Sequence, residues 1–269
     1  MRSTLKSIFK LSFFIGVSFF FLTIIQSFSV EISPCEQVNF CLSDSLYYPK
    51  IDSGENIIHH KYYDLVYDED HEQAKWIFYK LYPSYLDGPF KRKNNFRSDP
   101  KISTGSANHE DYRGSGYDRG HLMPAADMTW SADALSESFF YSNMSPQHPS
   151  FNRGVWKRLE SKVRDWGRES DSMFVVTGPV FDKNASVIGP NRVSIPNAYY
   201  KVVLRFKAGK STGIAFQLSN EASKEDLISF SSSIDELELS SGLDFFYKCV
   251  DSTFLEIESE VTQIDWEWN

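Results

Sequence analysis

Residues 116–124 read GYDRGHLMP and bring an acid, a guanidinium, a glycine and an imidazole into four consecutive positions. If these positions form a strand, Arg119 and His121 project from the same face, because side chains two residues apart on a strand point the same way. Gly120 carries no side chain between them and lets a ligand approach the backbone closely. Asp118 would face the other side, where we expect it to be an ion-pair partner. The stretch therefore predicts a functional strand end.

The chain on both sides of this stretch reads as strands, then central helices, then strands. Aromatic and β-branched residues predict strands at 62–67, 74–82, 173–181, 199–206 and 212–218. The last two are expected to form a hairpin. Apolar spacing predicts a turn or two of helix near 135–140 and a longer helix over 152–166. This order favours an α+β fold with a central antiparallel sheet.

Composition limits the classes of ligand that the chain can bind. Its 269 residues are 41% hydrophobic and 16% aromatic, which is enough for a sizeable core. The net charge is −8, and residues 1–30 contribute three basic and no acidic side chains, so the remainder carries −11. An overall charge of this sign disfavours binding of a polyanion. A nucleic-acid site would therefore need a local basic patch and a bound cation.

The N-terminus predicts export. Three basic residues up to Lys10 precede an apolar run over residues 11–30, which is typical of a secretory signal peptide or an uncleaved membrane anchor. We favour a cleaved signal over residues 1–30 and a periplasmic or secreted mature protein, and a membrane tether stays open. Residues 31–60 are polar and are expected to be irregular. Residues 61–269 are expected to form a single domain.

Export makes the three cysteines informative. Cys35 and Cys41 are close in sequence, so a short-loop disulfide between them is predicted, which leaves Cys249 free and buried. Three unpaired cysteines are the alternative. No Cys/His cluster indicates zinc.

Two segments after the opening stretch carry further polar groups of catalytic types. Residues 142–147 read SNMSPQ, and residues 151–156 read FNRGVW. On a regular helix that begins at Asn152, Trp156 and Glu160 follow at i+4 and i+8 along one edge. A carboxamide oxygen suits Mg²⁺, a hard ion that retains several waters. The spacing therefore predicts a metal site at Asn152 with few protein ligands.

These groups together suit phosphodiester hydrolysis. A neutral His121 can accept a proton from water, and the planar donors of Arg119 match phosphate oxygens. A cation near Asn152 would neutralise charge on the phosphorus centre and on the leaving oxygen. Taken singly, Asn152 also fits a helix cap, Glu160 a solvated helix face and Asn143 a turn residue.

In their order and spacing, YRGSGYDRGH at 112–121, SNMSPQ, and FNRGVWKRLE at 151–160 resemble the DNA/RNA non-specific endonuclease family, the endonuclease G-like ββα-metal nucleases. The resemblance covers roughly residues 60–250. It implies an α+β domain with a central antiparallel sheet and a ββα-metal catalytic element on one face.

The resemblance also implies roles for individual residues. His121 would be the general base and Asn152 the direct ligand of Mg²⁺, for which Mn²⁺ could substitute. Glu160 would support the water shell of the metal. Arg119 and Asn143 occupy further active-site positions of the family. DNA and RNA would both be cut, because no ribose hydroxyl is needed as the nucleophile.

An upstream arginine of the family has no clear counterpart in this chain, and Arg92, Lys93 or Arg97 could substitute for it. These three residues and Arg153 are the predicted contacts to nucleic acid. A homodimer stays open, because the family contains dimers, and no stable protein partner is predicted. Two other functions also stay open: an exported or tethered nucleic-acid-binding module without catalysis, and a periplasmic binding protein for a small ligand.

Overall fold

The computed structural model describes residues 44–250, 252–261 and 266–268, and the predicted signal or anchor over residues 1–30 lies outside these ranges. In the described part of the chain, no helix is long and apolar enough to cross a bilayer. The strands are β1 (Ile57–His59), β2 (Tyr63–Asp68), β3 (Gln73–Leu81), β4 (Asp118–His121), β5 (Met144–Gln147), β6 (Ser172–Val180), β7 (Val187–Ile188), β8 (Val193–Ser194), β9 (Ala198–Lys207), β10 (Lys210–Ser219) and β11 (Ser231–Ser232). The helices are α1 (His109–Tyr112), α2 (Ala132–Glu137), α3 (Lys157–Arg168), α4 (Ile234–Ser241) and α5 (Ser252–Ser259).

A seven-stranded sheet forms the centre, in the order β1-β2-β3-β6-β9-β10-β11. Every neighbouring pair in it is antiparallel, which confirms the predicted α+β fold with a central antiparallel sheet. β9 lies between β6 and β10, and all of its residues except Lys207 are buried. Such a strand is apolar over most of its length because both of its faces are covered. Lys201, a fully buried lysine within β9, is an exception to this pattern.

Helices cover both faces of this sheet. On one face, Leu159, Val163 and Trp166 of α3 recur at helical spacing and are buried in the larger core cluster. On the other face, α4 and α5 bury Ile234 and Phe254 in a second cluster. Each large apolar side chain buried in this way stabilises the fold by about 1.5–3 kcal/mol.

A two-stranded ribbon of β4 and β5 lies beside the central sheet and leads into α3. Gly120 is required in it, because a Cβ atom at that position would lie 2.1 Å from Cδ of Gln147 on the facing strand. The Ser145 hydroxyl donates a hydrogen bond of 2.5 Å to Oε1 of Gln73, which ties the ribbon to β3. The two strands and the helix that follows them form the predicted ββα element.

The entry to α3 differs from the prediction. A wide helical turn spans Phe151–Trp156, and regular α-helix begins only at Lys157. Gly154 breaks the regularity with φ −106° and ψ −110°, a conformation that glycine tolerates because it has no Cβ. The predicted regular row from Asn152 to Glu160 is therefore wrong: Trp156 is buried, whereas Asn152 is half-buried and faces β4.

Two further predictions are corrected by the structure. Cys249 is disulfide-bonded, so the prediction that it is free is wrong, although it is buried as expected. The predicted disulfide between Cys35 and Cys41 lies outside the described residues. Within the segment predicted to be irregular, residues 57–59 form β1, because Ile57 and Ile58 extend the sheet beside β2.

Candidate active site

Arg119 and His121 lie on the same side of β4, as the strand period predicts. The Arg119 guanidinium stacks on the ring of Phe96, with Cζ 4.0 Å from the ring centroid. The His121 ring lies 5.9 Å from the same Phe96 ring and meets Phe139 edge-on at 5.0 Å. The phosphate-matching cation and the imidazole are therefore close neighbours on one aromatic support.

His121 is held neutral by its surroundings. Only 7% of the residue is exposed, and its Nε2 atom makes no hydrogen bond with any described residue. Burial, followed by the charges of Arg92 and Arg119, lowers the pKa of His121 from 6.5 to about 3. A neutral imidazole with an unpaired ring nitrogen can accept a proton at neutral pH.

Asp118 joins β4 to the turn that carries Asn152. Its Oδ2 atom accepts a hydrogen bond of 2.9 Å from Nδ2 of Asn152 and one of 2.8 Å from Nε of Arg153. Burial opposes ionisation of Asp118, but the hydrogen bonds from Arg153 and Asn152 outweigh it and hold the pKa of this carboxyl below its usual value. The expected ion-pair role of Asp118 is thus realised with Arg153.

The contact with Asp118 also orients the Asn152 amide. Because Nδ2 faces Asp118, Oδ1 points away from it, and no described residue donates a hydrogen bond to Oδ1. Within the described ranges, no three His, Cys, Asp or Glu side chains lie close enough together to hold a metal. One carboxamide oxygen without a carboxylate cage fits a hard cation that keeps most of its ligands as water, such as Mg²⁺.

Glu160 is half-buried in the first turn of α3. Burial raises the pKa of its carboxyl, Asp127 raises it further, and the positive charges of Lys201, Arg164 and Arg92 oppose the shift. The ionised state of Glu160 therefore depends on nearby cations.

Asn143 is fully buried and holds the chain just after His121 in place. Its Oδ1 accepts from the backbone N–H of Met123 at 2.8 Å, and its Nδ2 donates to the carbonyls of Met123 and Ser138 at 3.0 and 2.7 Å. These bonds engage both ends of the amide. Asn143 thus fixes the backbone around Met123 and is itself inaccessible to a substrate.

A cavity of about 560 Å³ opens beside Asp118 and Asn152, and its lining also includes Arg92, Arg113, Arg119 and Arg153. His121 and Glu160 do not belong to its lining. Four guanidinium groups around one cavity make a local positive site on an acidic protein. Sequence reasoning missed Arg113, although it lies inside the YRGSGYDRGH segment, six positions before Arg119.

Two of the predicted basic contacts to nucleic acid do not line this cavity, whereas Arg92 does. The Arg97 guanidinium lies over the Phe140 ring at 4.0 Å and donates to the Ser136 carbonyl at 2.8 Å, so it is used within the fold. Neither Arg97 nor Lys93 belongs to the cavity lining. Arg92 does line the cavity and lies over the Phe139 ring at 5.1 Å. Of the three candidates for the upstream arginine, Arg92 is the one beside His121.

The fold and the site together define a class of protein. It is an α+β protein whose ββα element carries a neutral imidazole and an amide oxygen next to an arginine-lined cavity, and this combination suits a phosphodiester. The sequence profile of the DNA/RNA non-specific endonucleases matches residues 43–252. The chain belongs to the DNA/RNA non-specific endonuclease family.

Individual relatives agree with this assignment. The chain is 34% identical over 198 residues to human mitochondrial endonuclease G, covering 68% of this chain and 67% of that one. It is 35% identical over 200 residues to the human mitochondrial nuclease EXOG, covering 68% of this chain and 54% of that one, and thus spans about half of EXOG. A nuclease of a Nostoc strain is 31% identical over 213 residues, covering 74% of this chain and 76% of the relative.

A solved structure supports the fold directly. The structure of an EndoG/EndoGI complex, described as revealing the mechanism of EndoG inhibition, superposes with a TM-score of 0.69 at 28% identity. The match covers 76% of this chain and 89% of that chain.

Proposed function

We propose that this protein is a metal-dependent endonuclease that hydrolyses phosphodiester bonds in DNA and RNA without sugar or strong sequence specificity. The observation that carries the proposal is the Asn152–Asp118 hydrogen bond, because it ties the candidate direct metal ligand to the strand that bears His121. Family membership supports the same activity.

In this proposal His121 is the general base. It would accept a proton from the attacking water at a ring nitrogen. Its low pKa keeps it unprotonated through the neutral range, and the packing of Phe139 fixes the orientation of its ring. A general base positioned in this way contributes roughly 10²–10⁴-fold to the rate.

Arg119 would hold the non-bridging oxygens of the scissile phosphate. A guanidinium offers planar paired donors that match phosphate geometry. Stacking on Phe96 limits the freedom of Arg119 before substrate binds. Arg92, Arg113 and Arg153 would attract the neighbouring phosphates, since they surround the same cavity.

The residues that would hold the cation are Asn152, directly through Oδ1, and Glu160, through water. A bound Mg²⁺, or Mn²⁺ in its place, would supply positive charge to the phosphate and to the leaving oxygen. The fixed Asn152 amide removes the need to order that ligand during binding.

The direct test is cleavage of plasmid DNA and of RNA by the purified protein, with Mg²⁺ and with a chelator. We expect both substrates to be cut, chelator to stop the reaction, and His121→Ala to lower the rate by roughly 10²–10⁴-fold. His59→Ala is the matched control, because His59 is exposed and pairs with Asp64 outside the cavity lining.

Three outcomes would contradict the proposal. Cleavage that persists in chelator would exclude the cation, and an unaffected His121→Ala variant would exclude the base. Binding without cleavage would identify the protein as a nucleic-acid-binding module.

We also propose that the protein is exported, either released or tethered by residues 1–30. This rests on the basic start and the apolar run of the N-terminal sequence alone, and the human relatives are named as mitochondrial proteins. Sequencing the N-terminus of the protein isolated from cells and from medium tests it. A cytosolic protein with an intact N-terminus would contradict export.

A further inference from the structure

A second groove, here called the α3 groove, lies beside helix α3 and has a volume of about 470 Å³. The charged residues among its described lining are Arg153, Lys157, Arg158, Lys162 and Asp165. Four positive side chains and one negative side chain therefore line this groove, on a chain whose net charge is −8. A groove with an excess of one sign of charge concentrates ligands of the opposite sign, so the α3 groove suits an anion.

The guanidinium of Arg158 is held in this groove by neutral acceptors. Its Nη2 atom donates to the carbonyl of Glu225 at 2.8 Å and to the carbonyl of Ser223 at 3.4 Å. A main-chain carbonyl accepts a hydrogen bond but carries no formal charge, so these bonds orient Arg158 and leave its positive charge in place. Asp165, the acid of the lining, is paired with Arg168 at 2.8 Å. The α3 groove is therefore positive and partly ordered before any ligand binds.

The two lysines of the groove lie on the side of α3 that does not pack into the core. Leu159 and Val163 of the same helix are buried in the larger core cluster, whereas Lys157 is exposed and Lys162 is half-buried. Five residues of α-helix rise about 7.5 Å. Because the phosphates of one duplex strand are spaced about 3.4 Å apart along the axis, the two ammonium groups span about two phosphates.

Arg153 joins the α3 groove to the catalytic cavity. It lines both of them, and its Nε atom donates to Oδ2 of Asp118 on β4 at 2.8 Å. A strand whose scissile phosphate lies beside Arg119 can therefore continue past Arg153 and along α3. The α3 groove is thus an extension of the surface that is already proposed to bind nucleic acid.

The lining of the α3 groove suits a sugar–phosphate backbone better than it suits bases or lipid. None of the described residues that line it is aromatic, and Leu227 is the one large apolar side chain among them. Unpaired bases are bound by stacking on aromatic rings, whereas lysine and arginine bind phosphates of any sequence. Binding to a membrane surface depends on buried apolar area as well as on charge, and a concave groove with one leucine offers little of it.

We propose that the α3 groove is a second phosphate-binding site, which holds the backbone of the substrate outside the catalytic cavity. The protein therefore binds long nucleic acids more tightly than fragments that occupy the catalytic cavity alone. This inference rests on the proposed nuclease function. It applies to DNA and RNA alike, because contacts to phosphates do not distinguish the two sugars.

The first test is the binding of oligonucleotides by Lys157→Gln/Lys162→Gln in a His121→Ala background, in which the oligonucleotides stay intact. Glutamine removes each charge and retains helix propensity. For an oligonucleotide of about twenty nucleotides we expect Kd to rise roughly 2–30-fold, the effect of two exposed ion pairs. The slope of log Kd against log salt should become shallower by about two. An oligonucleotide of about four nucleotides, a small site size for such grooves, should bind equally with and without the two lysines.

Lys183→Gln/Lys210→Gln in the same background is the matched control. It changes the net charge by the same amount, both lysines are exposed, and neither lines the catalytic cavity or the α3 groove. We expect it to leave the affinity and the salt slope unchanged, and Lys157→Arg/Lys162→Arg to retain tight binding because it keeps both charges. An equal loss in the control and in Lys157→Gln/Lys162→Gln would reduce the effect to overall charge and overturn the proposal.

Two further results would also overturn the proposal. One is the same loss of affinity for the short and the long oligonucleotide. The other is that Lys157→Gln/Lys162→Gln loses binding to phosphatidylserine vesicles while its affinity for oligonucleotides is unchanged, which would assign the groove to a membrane surface.

Binding is measured without cleavage, so failure of this inference and failure of the nuclease assignment are distinguishable. A wild type that cuts no nucleic acid, combined with a length-dependent loss in Lys157→Gln/Lys162→Gln, would refute the proposed function and support the α3 groove. An active wild type whose affinity for the long oligonucleotide does not depend on the two lysines would refute the α3 groove and leave the proposed function intact.

Discussion

The Nδ2 atom of Asn152 donates a hydrogen bond of 2.9 Å to Oδ2 of Asp118, a residue 34 positions earlier in the chain. Asp118 thereby connects strand β4, which bears His121, to the turn before α3. The same carboxylate also binds Arg153, so a single acidic side chain fixes both the candidate metal ligand and one cation of the cavity. The geometry of the site depends on this contact more than on the regularity of the helix.

Asp118→Ala should therefore impair metal use without removing any group that touches substrate. We expect the rate at limiting Mg²⁺ to fall by roughly 10–100-fold, because partners that orient a metal ligand typically have effects of this size. Saturating Mg²⁺ should recover part of the loss. Titrating the cleavage rate with Mg²⁺ measures this, and Asp52→Ala on the surface is the control. An unchanged half-saturating Mg²⁺ concentration would show that Asp118 does not position Asn152.

The pH dependence of stability should report the neutral state of His121. Its pKa is lowered from 6.5 to about 3 in the fold, so between these values the unfolded chain binds a proton that the folded protein does not. The contribution of His121 to stability is therefore fully present above pH 6.5 and is lost as pH falls toward 3. Urea unfolding should show that the free energy of unfolding falls less steeply with decreasing pH for His121→Asn than for the wild type. Parallel curves would mean that the pKa of His121 does not differ between the folded protein and the unfolded chain.

Gly120→Ala should disrupt the β4–β5 ribbon. A Cβ atom at this position would lie 2.1 Å from Cδ of Gln147, and steric excess in a packed site costs about 1–3 kcal/mol. The conflict involves a side chain, so Gly120→Ala/Gln147→Ala should recover most of the lost stability. Thermal unfolding of the two variants compares their stabilities. If the double variant is no more stable than Gly120→Ala, the clash lies elsewhere.

Asn143→Ala should destabilise the protein and lower activity through misplacement of the chain after His121. It removes hydrogen bonds to Met123 and Ser138 and leaves buried backbone groups unpaired, at an expected cost of about 1–3 kcal/mol or more. Asn184→Ala is a matched control, because Asn184 is exposed. Chemical denaturation measures the difference. Equal stabilities for the two variants would argue against the ordering role of Asn143.

Binding to nucleic acid should weaken steeply with salt, because phosphate contacts release counterions. The His121→Ala variant serves as the parent, so that the nucleic acid is not cleaved during the measurement. We expect the slope of log Kd against log salt to decrease by about one when Arg113 is also replaced by Ala. Lys210→Ala, at the first residue of β10, should leave the slope unchanged. A flat salt response of the parent would exclude a positive cavity as the binding surface.

Much of the fold is predictable from local sequence pattern. The predicted hairpin at 199–218 corresponds to β9 and β10, and the strand predicted at 173–181 corresponds to β6. These elements are long and periodic, so their hydrophobic pattern identifies them. β5 was not predicted as a strand, because Pro146 disfavours one. Pro146 is tolerated because the ribbon has only two strands, so one side of β5 needs no ladder hydrogen bond.

The sequence by itself determined the candidate catalytic motifs, the strand face shared by Arg119 and His121, and the family. Only the tertiary structure decided that Arg92 and not Arg97 faces the cavity, that Cys249 is disulfide-bonded, and that Lys201 lies fully buried within β9. The physical reason is that patterns of side-chain type report which face of an element is buried. Which residues from distant segments then meet depends on packing and on the balance of buried charge, and local sequence does not encode either.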